Sequence, residues 1–344
     1  MAENKMVEKD FRSVVQKTGD AYIPLVEKAL SGDGVSTDSY QHQCMANALI
    51  AMNDAAQAAG KESLAAFDKN EVMASLQQVA ALRLNVFARP RECYFVTRKK
   101  KLPDGSWGIS IELGVEGDGF DGMLQNFGRN VDTVYPYWAV REGDEFEYPI
   151  HRGLEITPPA WVPKGVGKYI RVVYPIKFKD GTVQYFIGER ADVRANLTAH
   201  ISNNMMNETF GIVENRYKAT LEQKHQIDAR KEELKALMDG RDVDEILAIP
   251  ELQPYISPAW REGSREKMIL RKMRNNVVKA VPKDFASGVE LASYTNSMVS
   301  ENGEQLEADF REVDAPVTPP APVLPPQENQ PLPAQPSSAA AAPF

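Results

Sequence analysis

Cysteine and histidine are scarce: Cys44 and Cys93, with His42, His151, His200 and His225, are all that 344 residues contain. Two isolated thiols cannot build a disulfide framework, and the combined set has no zinc-ligand spacing, so a reducing compartment fits and a structural zinc is not expected. Missing too is any apolar run near the roughly 18 to 20 residues that span a bilayer. The start, Met1 to Asp10, is charged rather than a basic stub followed by an apolar stretch. The expectation is a cytoplasmic protein without a membrane partner. Large apolar residues are nearly absent from Ala315 to Phe344, where irregular prolines lead into alanines. Such a segment cannot offset its ordering entropy and reads as a disordered tail. Nor is there an excess of positive charge: the formal net is -8, with seven acids against Arg311 alone from Glu301 onward. That tail accounts for a net of -6 and leaves -2 for the body, where local clusters of lysine and arginine can still line a basic groove.

What is present is a change of period along the chain. From Phe11 to Leu84 apolar residues recur at three and four, with breaks at Ser31 to Gly34 and Asp68 to Asn70, which predicts three or four helices. From Cys93 to Glu189 the period becomes two, in Cys93 to Val96, Trp107 to Leu113, Tyr169 to Phe178 and Val183 to Ile187. Turn signals at Pro103-Asp104-Gly105 and Lys179-Asp180-Gly181 imply antiparallel hairpins. A helix over Phe120 to Phe127 interrupts the strands. One long polar helix is expected from Asn204 to about Met238, stopped by Gly240, and another from Ser264 to Ala280 before Pro282. The fold class is therefore α+β: N-terminal helices (1–85), a central, mostly antiparallel sheet interrupted by a helix (86–200), C-terminal helices (201–300), and an acidic, then Pro/Ala-rich disordered tail (301–344).

Gly117, Gly119 and Gly122 make a lone G-x-G-x-x-G, but the acids Glu116, Asp118 and Asp121 beside it would repel a pyrophosphate, and antiparallel neighbours are the wrong context. Neither this loop nor Gly165 to Lys168 supplies the phosphate loop of an ATPase. Glu142, Asp144, Glu145 and Glu147 alternate as on a strand or its turn and read as a solvated face. Two basic segments carry more. The first holds Arg89, Arg91, Arg98, Lys99, Lys100 and Lys101 with Tyr94 and Phe95 between them. The second holds Arg261, Arg265, Lys267, Arg271, Lys272, Arg274, Lys279 and Lys283. On a helix, Lys267, Arg271 and Arg274 share one face while Ile269, Leu270, Met273 and Val277 gather on another. Cations along a groove neutralise backbone phosphates, and aromatics stack on unpaired bases.

Four stretches, in order, resemble the RecT family of single-strand DNA annealing proteins, to which phage Redβ-like recombinases are related. Val72 to Leu84 resembles the family's helix before its first strand, although Arg83 stands where a glycine is usual, and Cys93 to Val96 falls where that strand begins. Gly119-Phe120-Asp121-Gly122-Met123-Leu124 is similar to the family's glycine-bounded helix start, with Asp121 in place of a basic residue. Val140 to Phe146 is the closest match and brings in Arg141, and Glu266 to Pro282 resembles the terminal helix, with Asn275 and Asn276 in place of paired arginines. The likeness covers roughly residues 70 to 200 and 258 to 285. It implies a non-enzymatic protein that coats single-stranded DNA and anneals complementary strands without ATP in phage homologous recombination. It also implies a homo-oligomer, ring or helical filament, holding the nascent duplex, and a phage 5′ to 3′ exonuclease as partner in the bacterial host cytoplasm.

The expected DNA contacts are Arg89, Arg91, Arg98, Lys99, Lys100, Lys101, Arg141, Lys267, Arg271, Lys272, Arg274 and Lys279, the two segments forming facing walls of one groove. Tyr94 and Phe120 are the base-stacking candidates. No cofactor is expected beyond magnesium in a supporting role, and no catalytic or metal-ligating residue. Two other readings compete: a metal-dependent nuclease using Glu112, Asp118, Asp121 and Asp144, and a helical scaffold resting on the long polar helix. Residues 204–255 look like an inserted helical hairpin for subunit contacts. The terminal Pro343-Phe344 resembles the tip by which bacterial single-strand binding proteins recruit partners, a link to host machinery.

Overall fold

The structure, a computed structural model, describes residues 14–101, 107–214 and 218–298. The expected tail and the Pro103 to Gly105 turn lie outside the described residues. Helices α1 (Val14–Gly32), α2 (Ser39–Ala58) and α3 (Lys69–Leu82) open the chain. Each of the last two starts where an aspartate can satisfy orphan N–H groups: Asp38 and Gln41 cap α2 reciprocally, and Asp68 accepts from Asn70 and Glu71. Arg83 ends α3 in the left-handed region at φ 58°, the conformation a glycine takes without strain. Its guanidinium is held by Asp38 at 2.8 Å and lies over the Tyr40 ring.

Strands β1 (Cys93–Lys101) and β2 (Trp107–Val115) then pair antiparallel along their whole length. Helix α4 (Gly117–Phe127) comes directly after them. The central sheet has β9 (Tyr169–Phe178) in its middle, flanked by β10 (Val183–Glu189) on one side and by β3 (Val131–Val134) and β4 (Trp138–Arg141) in tandem on the other, all antiparallel. Between β4 and β9 a hairpin arm projects, made of β5 (Glu145–Glu147) paired with β8 (Ala160–Val162) and, further out, β6 (His151–Arg152) paired with β7 (Glu155–Ile156).

The polar stretch from Asn204 to Met238 is not one helix. Helix α5 (Val193–Asn204) stops, Phe210 and Gly211 take positive φ, and Thr220 with Gln223 caps a fresh helix α6 (Leu221–Ala236). Helices α7 (Val243–Leu247) and α8 (Arg265–Ala280) complete this part, and α9 spans 288–298. Among the described residues one continuous hydrophobic core runs from Ile23 in α1 to Val281 after α8. Helix α8 crosses the sheet at Gly188, where an added Cβ would sit 3.1 Å from the Met273 carbonyl and closer still to Val277. The α+β expectation holds. Among the described residues no helix is long and apolar enough to cross a membrane.

Candidate nucleic-acid interface

The register of β1 and β2 sorts the first basic segment by parity. Successive residues alternate in face, so Arg98 and Lys100 lie on one side and Lys99 and the Lys101 position on the other. Arg98 is bound by Glu112 across the ladder at 3.0 Å, and Lys100 is bound by Glu71 of α3. Lys99 is exposed and makes no ion pair among the described residues. Opposite the Lys101 position stands Trp107, 72% exposed.

The two basic segments do come together, but over acids. Glu116, the residue before α4, takes Arg91 at 2.8 Å and Arg271 at 3.2 Å. Nearby, Arg274 reaches Asp118 at 2.7 Å and Asp121 at 2.6 Å, donates to the Tyr174 hydroxyl and lies 4.3 Å from the Tyr137 ring centroid. Burial lifts the Asp121 carboxyl above its usual range, against the pull of Arg274, and burial also pushes the Tyr174 phenol up. Arginines and carboxylates thus tie α4, α8 and β9 together. Beside them a groove of about 410 Å³ is lined by Arg89, Tyr135 and Tyr137 together with Glu92, Asp118 and Asp121. Burial, with Asp118 nearby, raises Glu92 too. At this junction Arg91, Arg271 and Arg274 are engaged by Glu116, Asp118 and Asp121, so the expected continuous basic trough is corrected: where the two segments meet, their charge is compensated by carboxylates.

The remaining expected contacts are dispersed. Lys272 and Arg274 are 5% and 9% exposed, so α8 turns two of its cations inward; for Arg274 the cause is the pair of α4 carboxylates and the β9 phenol that meet it there. Phe120 is fully buried and cannot offer a ring to a base. Tyr94 packs its ring on Gly114, where a Cβ would come within 2.3 Å of the ring, and Arg91 covers it at 5.4 Å. Arg141 stacks on Tyr169 at 4.1 Å and donates to its hydroxyl and to the Gly167 carbonyl. Arg89 is exposed and donates to the carbonyls of Phe87 and Ala88, Lys267 is exposed, and Lys279 is half-buried with its ammonium 5.4 Å from the Phe120 ring.

Within the glycine motif, packing requires Gly119, since a Cβ there would lie 2.2 Å from the Glu92 carbonyl oxygen; one on Gly117 or Gly122 would make ordinary contact, 3.4 Å from Asn275 of α8 and 3.6 Å from the Glu92 carboxylate. The nuclease carboxylates are likewise engaged separately: Glu112 by Arg98, Asp118 and Asp121 by Arg274, and Asp144 by the N–H groups of Arg141, Lys164 and Gly165 and the Trp161 indole. Burial would raise Asp144, but those donors hold it far below the carboxylate range. Among the described residues no three His, Cys, Asp or Glu side chains are grouped to hold a metal. Both thiols are buried, and burial pushes Cys44 up to about 11.

Sequence reasoning missed Trp107 and the arm. The arm is rooted by Trp161 stacked on Trp138 at 5.7 Å and by Arg171 between Phe146 and Tyr148, while Leu154, Ile150 and Ile156 stand exposed towards its tip. The position of Trp107 across from Lys101 was readable from the hairpin turn. Residues 46–209 match the model described as RecT family. The match takes in the first three of the four resembling stretches, Val140 to Phe146 included, and ends before α8. No curated protein matches the chain.

Proposed function

We propose, on the premise that residues 46–209 belong to the RecT family, that the chain binds single-stranded DNA and anneals complementary strands in homologous recombination, without ATP. The observation that carries this reading is the cationic, aromatic distal face of the β1–β2 hairpin, which lies inside the family-matched region. Neutralising phosphates there lowers the repulsion between two strands and leaves base edges free, so Watson–Crick pairing supplies the selection. Magnesium has a supporting role only, since the candidate carboxylates are engaged by cations and N–H groups.

The same reading places the chain in phage recombination within a bacterial host, downstream of a 5′ to 3′ exonuclease that produces the single strand. Self-assembly into a ring or filament is supported by the exposed apolar tip of the arm at Leu154, a side chain 103% exposed, which a second copy would cover. Contact with host single-strand binding machinery would fall to the tail. Incubating the pure chain with two labelled complementary strands and magnesium, without ATP, tests the assignment on a gel. Duplex of full length is expected; shortened strands would favour a nuclease, and unchanged single strands would refute annealing.

A further inference from the structure

Trp107 is the most exposed aromatic side chain among the described residues, at 72%, ahead of Tyr148 at 51%. An indole left in water forgoes the burial of a large apolar face, and it sits at the end of a nine-residue strand whose inner half is buried. Its surroundings are set by the ladder. Lys101 is directly opposite and Lys99 is opposite Ile109, so these four positions share one face. Nearer the root that face carries Phe95 and Leu113, both buried in the core; at the distal end it opens to solvent. The other face carries Arg98 and Lys100, each held by a carboxylate. The hairpin therefore separates its charge: one side is neutralised by Glu112 and Glu71, and the other presents an open indole beside lysine positions.

We propose that this distal face is a stacking site for an unpaired base of single-stranded DNA, with the Trp107 ring against the base and Lys99 beside a flanking phosphate. The proposal rests on the annealing reading and adds to it the residue that grips the base. Stacking is tolerant of sequence because every base has a π-face, which suits a protein that leaves sequence selection to pairing. Trp107 thereby takes the part expected of Phe120, whose ring is inside the core.

The test compares the full chain with W107A and W107F on two oligonucleotides of equal length, one carrying bases and one built from abasic sites. On the base-carrying strand W107A is expected to bind about 10-fold more weakly, the scale of one stacked base, while W107F retains most of the affinity. Wild type and W107A are expected to bind the abasic strand alike. Tryptophan fluorescence should be quenched by the base-carrying strand in wild type, and most of that quenching should be gone in W107F. Equal affinity of wild type and W107A for the base-carrying strand, or an equal loss on both strands, would overturn the stacking site. If annealing persists in that case, the annealing reading stands without it; if wild type binds neither strand, both fall.

Discussion

Single residues show most clearly what charge counting can and cannot reveal. The two basic segments were legible as clusters, but their partners were not, because Asp121 and Arg274 are separated by 153 positions and only the fold brings them together. Arg83 is the opposite case: its place at the end of an apolar helix was legible, and its left-handed φ explains why a glycine suits that position. His200 carries a residue-scale prediction. It is half-buried beside Trp260, its Nε2 accepts from the Ser257 N–H, and burial, aided by the charge of Lys272, lowers its pKa to about 4. A folded-state value below the unfolded one means the unfolded chain binds the extra proton between about pH 6.5 and 4, so stability falls as pH falls through that window. Between pH 7 and 5 this group should contribute a loss of about 2 kcal/mol. Urea midpoints at the two pH values should therefore differ more in wild type than in H200Q; an equal difference would contradict it.

At the scale of elements, the long strands and the first helices were readable because their period persists over many residues and their ends carry caps or turns. The arm was not, since its strands are two or three residues long and its root is set by side chains: Asp144 gathers the N–H groups of Lys164 and Gly165 from the far end of the loop. The broken polar helix failed for a related reason. Gly211 and the Thr220-x-x-Gln223 capping box were legible break signals that the polar pattern overrode, and the break is held by distant partners: Asn204 donates to the Tyr255 carbonyl, and Lys231 of α6 to that of Met206. Helix α8 shows how the same stripe can serve two ends. Lys267 faces solvent, whereas Arg274 joins α8 to α4 and β9. Removing it strands Asp118 and Asp121 with no guanidinium, so R274A is expected to destabilise the protein by about 3 kcal/mol or more in urea unfolding. The salt dependence of DNA binding should be unchanged in R274A under conditions where the variant is folded. A stable R274A with a flattened salt response would make Arg274 a phosphate contact after all.

For the whole molecule, the α+β class and the succession of helices, sheet and helices came from periodicity together with the turn and stop signals at element ends. The site was legible only in part. A groove walled by both basic segments was the natural inference from their sequence, and the fold instead pairs their cations with Glu116 and the α4 carboxylates at that junction, while the distal hairpin face, inside the family-matched region, keeps Lys99 exposed. Phosphate neutralisation at that face is then the central claim. It is tested most directly by measuring the affinity of the full chain for single-stranded DNA across a salt series, beside K99A. Log Kd is expected to rise linearly with log salt, by roughly 0.7 for each phosphate neutralised, and K99A to lower the slope by about one such step. Binding that is insensitive to salt, or a K99A slope equal to that of wild type, would contradict it.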